Sequence, residues 1–189
     1  MEIYDLIRYV SLVVWLFPPF RQYMGKYFYY FLILALTDPI ANLMLLINLN
    51  PLIIYTPSSV LMLISLLDYK IKEYRTIFII IVSTLLSYII TLSPIDYFMY
   101  SQLIIHFIIT LIVVKIFSIS VFEKKELNVF IVMLFFYQAL MVTRTIALLV
   151  EYYSGLAFLY IIGTLQIFLA IFFTIFRENS KIVKIKLVR

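Results

Sequence analysis

Cysteine is absent from this chain, and histidine and tryptophan occur once each. Without a thiol there is no disulfide, no cysteine nucleophile and no cysteine-ligated metal. A single histidine excludes a bis-histidine haem and a multi-histidine metal centre within one subunit, so no metal site and no cofactor is expected. Only three glycines are present, too few for a glycine-rich phosphate loop, and neither an HExxH zinc motif nor a GxSxG nucleophile elbow occurs. No nucleophile is paired with a base, so no catalytic residue is named and the chain is not expected to be an enzyme. Lysine is missing from the last long apolar stretch, which excludes a retinal Schiff base there.

Charge is scarce as well. Of 189 residues, 13% are charged and 65% are hydrophobic, a balance that leaves too little polar surface for a soluble domain. The formal charge of +5 resides in short connections and the tail, where it faces anionic headgroups; nucleic acid is not an expected partner.

What the chain does contain is seven long apolar stretches, roughly Ile3–Phe17, Tyr27–Ile47, Thr56–Leu67, Thr76–Leu92, Ser93–Phe117, Leu127–Val150 and Leu156–Phe176. A membrane-crossing helix needs about 20 mostly apolar residues, so seven spans use nearly the whole length. Lysine and arginine mark every second connection: Arg21 and Lys26, then Lys70, Lys72 and Arg75, then Lys124 and Lys125, then Arg177 to Arg189. The intervening connections, Asn48–Pro57, Ser93–Asp96 and Glu151–Gly155, have neither. Cationic loops stay on the cytoplasmic side. The expectation is an all-α, multi-pass protein of the cytoplasmic (inner) membrane: one seven-helix transmembrane domain over residues 1–189, N-terminus outside, C-terminus cytoplasmic. The acidic start Met1-Glu2-Ile3-Tyr4-Asp5 lacks the positive region of a signal peptide, so the first span is expected to be retained.

Local signals place the helix ends. Pro18-Pro19 closes the first span, and Asp5 and Arg8 share a face in its outer turns. Thr56-Pro57 reads as the start of the third span and Ser93-Pro94-Ile95-Asp96 as the start of the fifth. Trp15, Tyr27, Tyr29 and Tyr30 at one boundary, and Tyr97, Tyr100, Tyr152 and Tyr153 at the other, form the expected aromatic belts. The tail, about 177–189, alternates basic and apolar residues and is read as lying on the inner leaflet. Leu36-Thr37-Asp38-Pro39-Ile40-Ala41 resembles Val142-Thr143-Arg144-Thr145-Ile146-Ala147, a weak 3+1+3 internal repeat set against chance similarity in an apolar alphabet.

Polar residues inside the spans are the candidate site. Asp38 lies halfway along the second span, followed by Pro39, with Asn42 one turn on. A carboxylate at the bilayer centre costs at least about 2.5–3.5 kcal/mol, so it must be paired, protonated or facing water. Transporters place ion and substrate sites on such broken helices; a structural acid tying two helices together is the alternative. Arg144 is the natural counter-charge, with Tyr137 and Glu151 on its face. At about 1.5 Å per residue, Asp38 and Arg144 differ in height by roughly 8 Å, close to the reach of an arginine. His106 forms a stripe with Gln102 and Thr110, and serves either as a proton carrier or as a neutral bundle contact. Gln138 and Gln166 fall near mid-membrane and are read as lining one cavity. Ser58, Ser59, Ser65, Ser83, Ser87, Thr91, Gly163 and Thr164 are packing positions.

The function expected is binding or passage of a small solute, ion or proton through the bundle. The alternative is a non-catalytic, receptor-like or anchoring subunit, with a homo-oligomer or other membrane proteins as partners besides the lipid bilayer. Topology is the first test. Since the chain has no cysteine, a single cysteine at Asn50 should react with an impermeant reagent from outside and one at Lys72 only from inside. Labelling of both from one side would remove the seven-span reading.

Overall fold

Long runs of Leu, Ile and Phe with few turn residues leave the backbone to bond to itself, and the chain is helical almost throughout. The computed structural model describes residues 3–67, 74–91, 95–150 and 156–187. Lys70, Lys72, Ser93, Pro94, Glu151, Tyr152, Tyr153 and Arg189 lie outside the described residues, as do the side chains of Asp5, Arg75, Ser87, Thr91 and Asp96.

The elements are α1 (Ile3–Trp15), α2 (Pro18–Arg21), α3 (Phe28–Leu46), α4 (Leu52–Leu66), α5 (Tyr74–Thr91), α6 (Ile95–Phe122), β1 (Glu126–Asn128), α7 (Val129–Leu149), α8 (Leu156–Ile175) and β2 (Lys184–Lys186), the last preceded by a 3-10 turn at Lys181–Val183. Of the α-helices, all but the four-residue α2 correspond to the seven apolar stretches. By length and composition Phe28–Leu46, Tyr97–Phe122 and Val129–Leu149 can cross a membrane, whereas Leu52–Leu66, Ile77–Leu86 and Tyr160–Ile175 are apolar but shorter.

Several ends differ from the sequence expectation. Pro18-Pro19 does more than stop α1: the prolines occupy the first positions of α2, where a missing N–H costs nothing. Helix α4 begins a turn before Thr56. Asn48 takes a left-handed conformation (φ 57°) after α3, and Leu49 N–H bonds the Met44 carbonyl at 2.9 Å, a Schellman stop. Asn50 then accepts from Leu52 N–H at 3.0 Å and opens α4. Pro57 therefore lies inside the helix, and Thr56 is buried instead of capping it. Asn128 caps α7, accepting from Phe130 N–H at 3.1 Å.

Six helices close a ring. Following contacts, the order is α1, α3, α4, α6, α7, α8 and back to α1, while α5 packs outside on α4 and α6. Gly163 is where α8 meets α1 closely, since a Cβ there would stand 2.8 Å from Ile7 Cγ2. The outward faces are apolar, with Phe78, Leu85, Ile104, Phe107, Phe136 and Phe168 all exposed. Polar side chains such as Gln102, His106 and Gln138 are buried instead. One end of the ring is filled by aromatic side chains: Phe173 packs on Phe31 (4.8 Å between ring centres) and Phe130 (5.1 Å), and Trp15 on Tyr137 (4.9 Å). Trp15, Tyr27 and Tyr30 thus belong to the core, not to an interfacial belt, whereas Tyr29, Tyr97 and Tyr100 are exposed.

Among the described residues, the cationic connections after α1, after α6 and after α8 gather at this same end and tie the chain to itself. The last carbonyls of α8 have no partner within the helix. Gln22, buried after α2, donates to two of them, Phe173 (2.9 Å) and Phe176 (2.7 Å). Arg21 Nε donates to Ile175 at 3.1 Å. In return Arg177 donates to the Arg21 carbonyl and, at 2.9 Å, to that of Tyr23. The tail is tied in as well: its alternation is a strand period, and β2 pairs antiparallel with β1, placing Lys186 opposite Glu126. Val183 is buried as the chain turns back.

Gln22→Ala should therefore lower the melting temperature of the purified protein. The expected loss is about 1–3 kcal/mol, the cost of leaving buried carbonyls unpaired. An unchanged melting curve would show that the α2–α8 clasp contributes nothing to stability.

Candidate functional site

At the end of the ring opposite the aromatic plug there is a cavity of about 410 Å³. Every ring helix supplies a polar side chain to its wall: Arg8 from α1, Asp38 and Asn42 from α3, Tyr55 and Ser59 from α4, Gln102 and His106 from α6, Arg144 and Thr145 from α7, Gln166 from α8. Helix α5, outside the ring, contributes none among the described residues. Trp15 and Tyr137 are the wall residues next to the aromatic plug and form the floor. Arg8 and Asp38 are exposed, so the cavity opens beside them, whereas Gln102 and His106 are buried.

The structure brings Asp38 and Arg144 to one cavity but not into contact. Asp38 accepts a long hydrogen bond, 3.4 Å, from the Tyr55 hydroxyl. Arg8 donates to Asn42 Oδ1 at 2.9 Å. Arg144 is half-buried and has no hydrogen-bond partner among the described residues. The charges of Arg8, Asp38 and Arg144 all act on the Tyr55 hydroxyl, and those of Asp38 and Arg144 on the Tyr137 hydroxyl. The three ionisable groups thus share one space with two phenols. Pro39, next to Asp38, stands inside α3 with no N–H to give the Ala35 carbonyl.

Deeper in the wall two amides are fully engaged. Gln102 Nε2 donates to Thr56 Oγ1 at 2.9 Å. Ser59 Oγ lies 2.7 Å from Gln102 Oε1 and 2.9 Å from the Tyr55 carbonyl. These bonds fasten α6 to α4. Gln138 is completely buried behind the wall. It donates to the Tyr30 hydroxyl, and its Oε1 lies 3.1 Å from His106 Nδ1. With the amide so oriented, His106 carries its proton on Nδ1 and leaves Nε2 as the acceptor. Gln166 reaches the wall and donates to Met141 Sδ at 3.6 Å. Of the two mid-span glutamines, then, Gln166 lines the cavity and Gln138 supports it through His106.

Tyr55, Arg8, Thr56 and Ser59 are site residues that the sequence reading did not assign. The signal was available: Tyr55-Thr56-Pro57-Ser58-Ser59 is a dense polar run inside an apolar stretch. Thr56-Pro57 carries the local signal of a helix start, and Ser58 and Ser59 that of packing positions. Among the described residues no group of three or more His, Cys, Asp or Glu side chains is placed to hold a metal ion.

Replacing His106 separates support from chemistry. His106→Leu strands the Gln138 carbonyl oxygen and should destabilise by about 1–3 kcal/mol, read as a lower melting temperature. His106→Gln restores a donor and should melt close to the parent protein. Equal destabilisation by both would refute a role based on this hydrogen bond. Comparison with protein-family models finds no match to this chain, and no curated protein or solved structure is significantly similar to it.

Proposed function

We propose that the protein is a seven-span bundle of a cytoplasmic membrane, N-terminus outside, that binds a small solute in the cavity of its six-helix ring and passes it across. The observation that carries this reading is the convergence of polar side chains from all six ring helices on one open cavity, in a bundle whose outer faces are apolar. A chain that needed these groups only to hold helices together would pair them with each other, as Gln102 and Thr56 are paired. Asp38 and Arg144 instead face shared space. The reading is non-enzymatic and calls for no cofactor.

The ring order supports a 3+1+3 organisation. Helices α1, α3 and α4 form one half and α6, α7 and α8 the other, with α5 as the connector left outside. Asp38 and Arg144 occupy matching places in the two halves. Sites at the interface between repeats, with the halves rocking about them, are a common transporter design. The alternative, a non-catalytic subunit, draws on α5, whose exposed Ile77, Phe78, Ile81 and Leu85 offer a face to lipid or to a neighbouring chain.

A cysteine at Ser59, in the cavity wall, tests the proposal. In oriented vesicles an impermeant thiol reagent should modify it from outside, and more slowly from inside, as the cavity alternates. Modification from one side only would favour a receptor-like subunit over passage. No modification from either side would remove the solute-binding reading.

A further inference from the structure

The polar groups of the cavity are unevenly satisfied, and the imbalance identifies what can enter. Arg8 and Asp38 each have a partner on the α3–α4 side, Asn42 and Tyr55. Arg144, across the ring on α7, has none among the described residues. Its planar fork of five N–H donors matches a carboxylate in a bidentate manner. Leaving that fork unmatched in a half-buried, low-dielectric wall is costly. Asp38 is weakly engaged, its one hydrogen bond being 3.4 Å long. Opposite charges therefore line one cavity without neutralising each other.

A solute with a single charge satisfies one wall and leaves the other bare. A solute with both charges satisfies both. Between its polar residues the wall carries apolar side chains, Leu34, Met62, Phe98 and Met141, above the Trp15–Tyr137 floor. A volume of about 410 Å³ accommodates a small organic molecule. Arg8 at the mouth leaves the three charged residues with one net positive charge, two arginines against one aspartate, and this field draws the anionic end inward.

The geometry points to an amino-acid-like zwitterion with an apolar body as the solute of this cavity, its carboxylate on Arg144 and its ammonium on Asp38. The inference rests on the solute-binding reading above and narrows it to a chemical class.

Trp15 is the chain's only tryptophan and stands in the cavity floor, so its fluorescence reports occupancy. The full-length protein in nanodiscs is titrated with L-leucine, with 4-methylpentanoate, which lacks the ammonium, and with 3-methylbutylamine, which lacks the carboxylate. Leucine should give a saturable signal, and each truncated probe should bind about tenfold or more weakly. Arg144→Gln should bring leucine down to the level of the amine, and Asp38→Asn to that of the carboxylate. Arg144→Lys, which keeps the charge and loses the fork, should fall between. Should these variants not fold, the three probes on the parent protein decide alone. Equal binding of leucine and 4-methylpentanoate, or leucine binding unchanged in Arg144→Gln, overturns the zwitterion and leaves a solute site standing. No response to any probe also overturns it. If in that case the Ser59 cysteine is unreactive as well, the solute-binding reading falls with it.

Discussion

A guanidinium or carboxylate set among Leu, Ile and Phe cannot face hydrocarbon without a cost of several kcal/mol, and here that single constraint orients the helices. Arg8, Asp38 and Arg144 lie on helices whose remaining faces are apolar, so each helix turns its ionisable residue inward. The other three ring helices bring no charged residue to the centre but turn uncharged polar groups there, Tyr55 and Ser59 on α4, Gln102 and His106 on α6 and Gln166 on α8. Six such faces make a ring that encloses space instead of packing shut.

The aromatic end supplies the rigidity that the open end lacks. Phe31, Phe130 and Phe173 come from α3, α7 and α8, and Trp15 from α1 joins them through Tyr137 and Phe173. Large apolar side chains packed at crystal-like density hold their rotamers and resist opening. The clasp between α2 and the end of α8 sits just beyond this plug. It matters most for α1, which at 13 residues is about 20 Å long and has little apolar length of its own to anchor it.

The polar residues around the cavity divide into two kinds. Gln102 and Gln138 have every polar atom engaged, and each joins helices from opposite halves of the ring: α6 to α4 through Thr56, α7 to α3 through Tyr30. Such satisfied networks specify which helices are neighbours. The charged residues nearer the mouth are the ones left partly unmet. A polar site of this kind is more than a collection of intramembrane polar residues, because saturation distinguishes structural members from those available to a ligand.

Apolar stretches, their number and most of their ends were legible in the sequence, because helix formation in such stretches depends on composition and on proline and asparagine chemistry acting within a few residues. Asp38, Arg144, His106 and Gln102 could be singled out as well, because an ionisable or amide group in an apolar run is conspicuous wherever the helix goes, and all four stand in the cavity wall. Helix starts were misplaced at Thr56-Pro57 because a proline inside a helix and a proline opening one carry the same local signal. The tail's pairing with Glu126–Asn128 was missed because a three-residue strand depends on a partner more than fifty residues away. Only the tertiary structure decided that Asp38 and Arg144 share a cavity without touching, that Tyr55 bonds Asp38 there and that Gln138 bonds His106 behind the wall. These are questions of which helices adjoin and how far they rotate, and rotation is set by the packing of all six ring helices together.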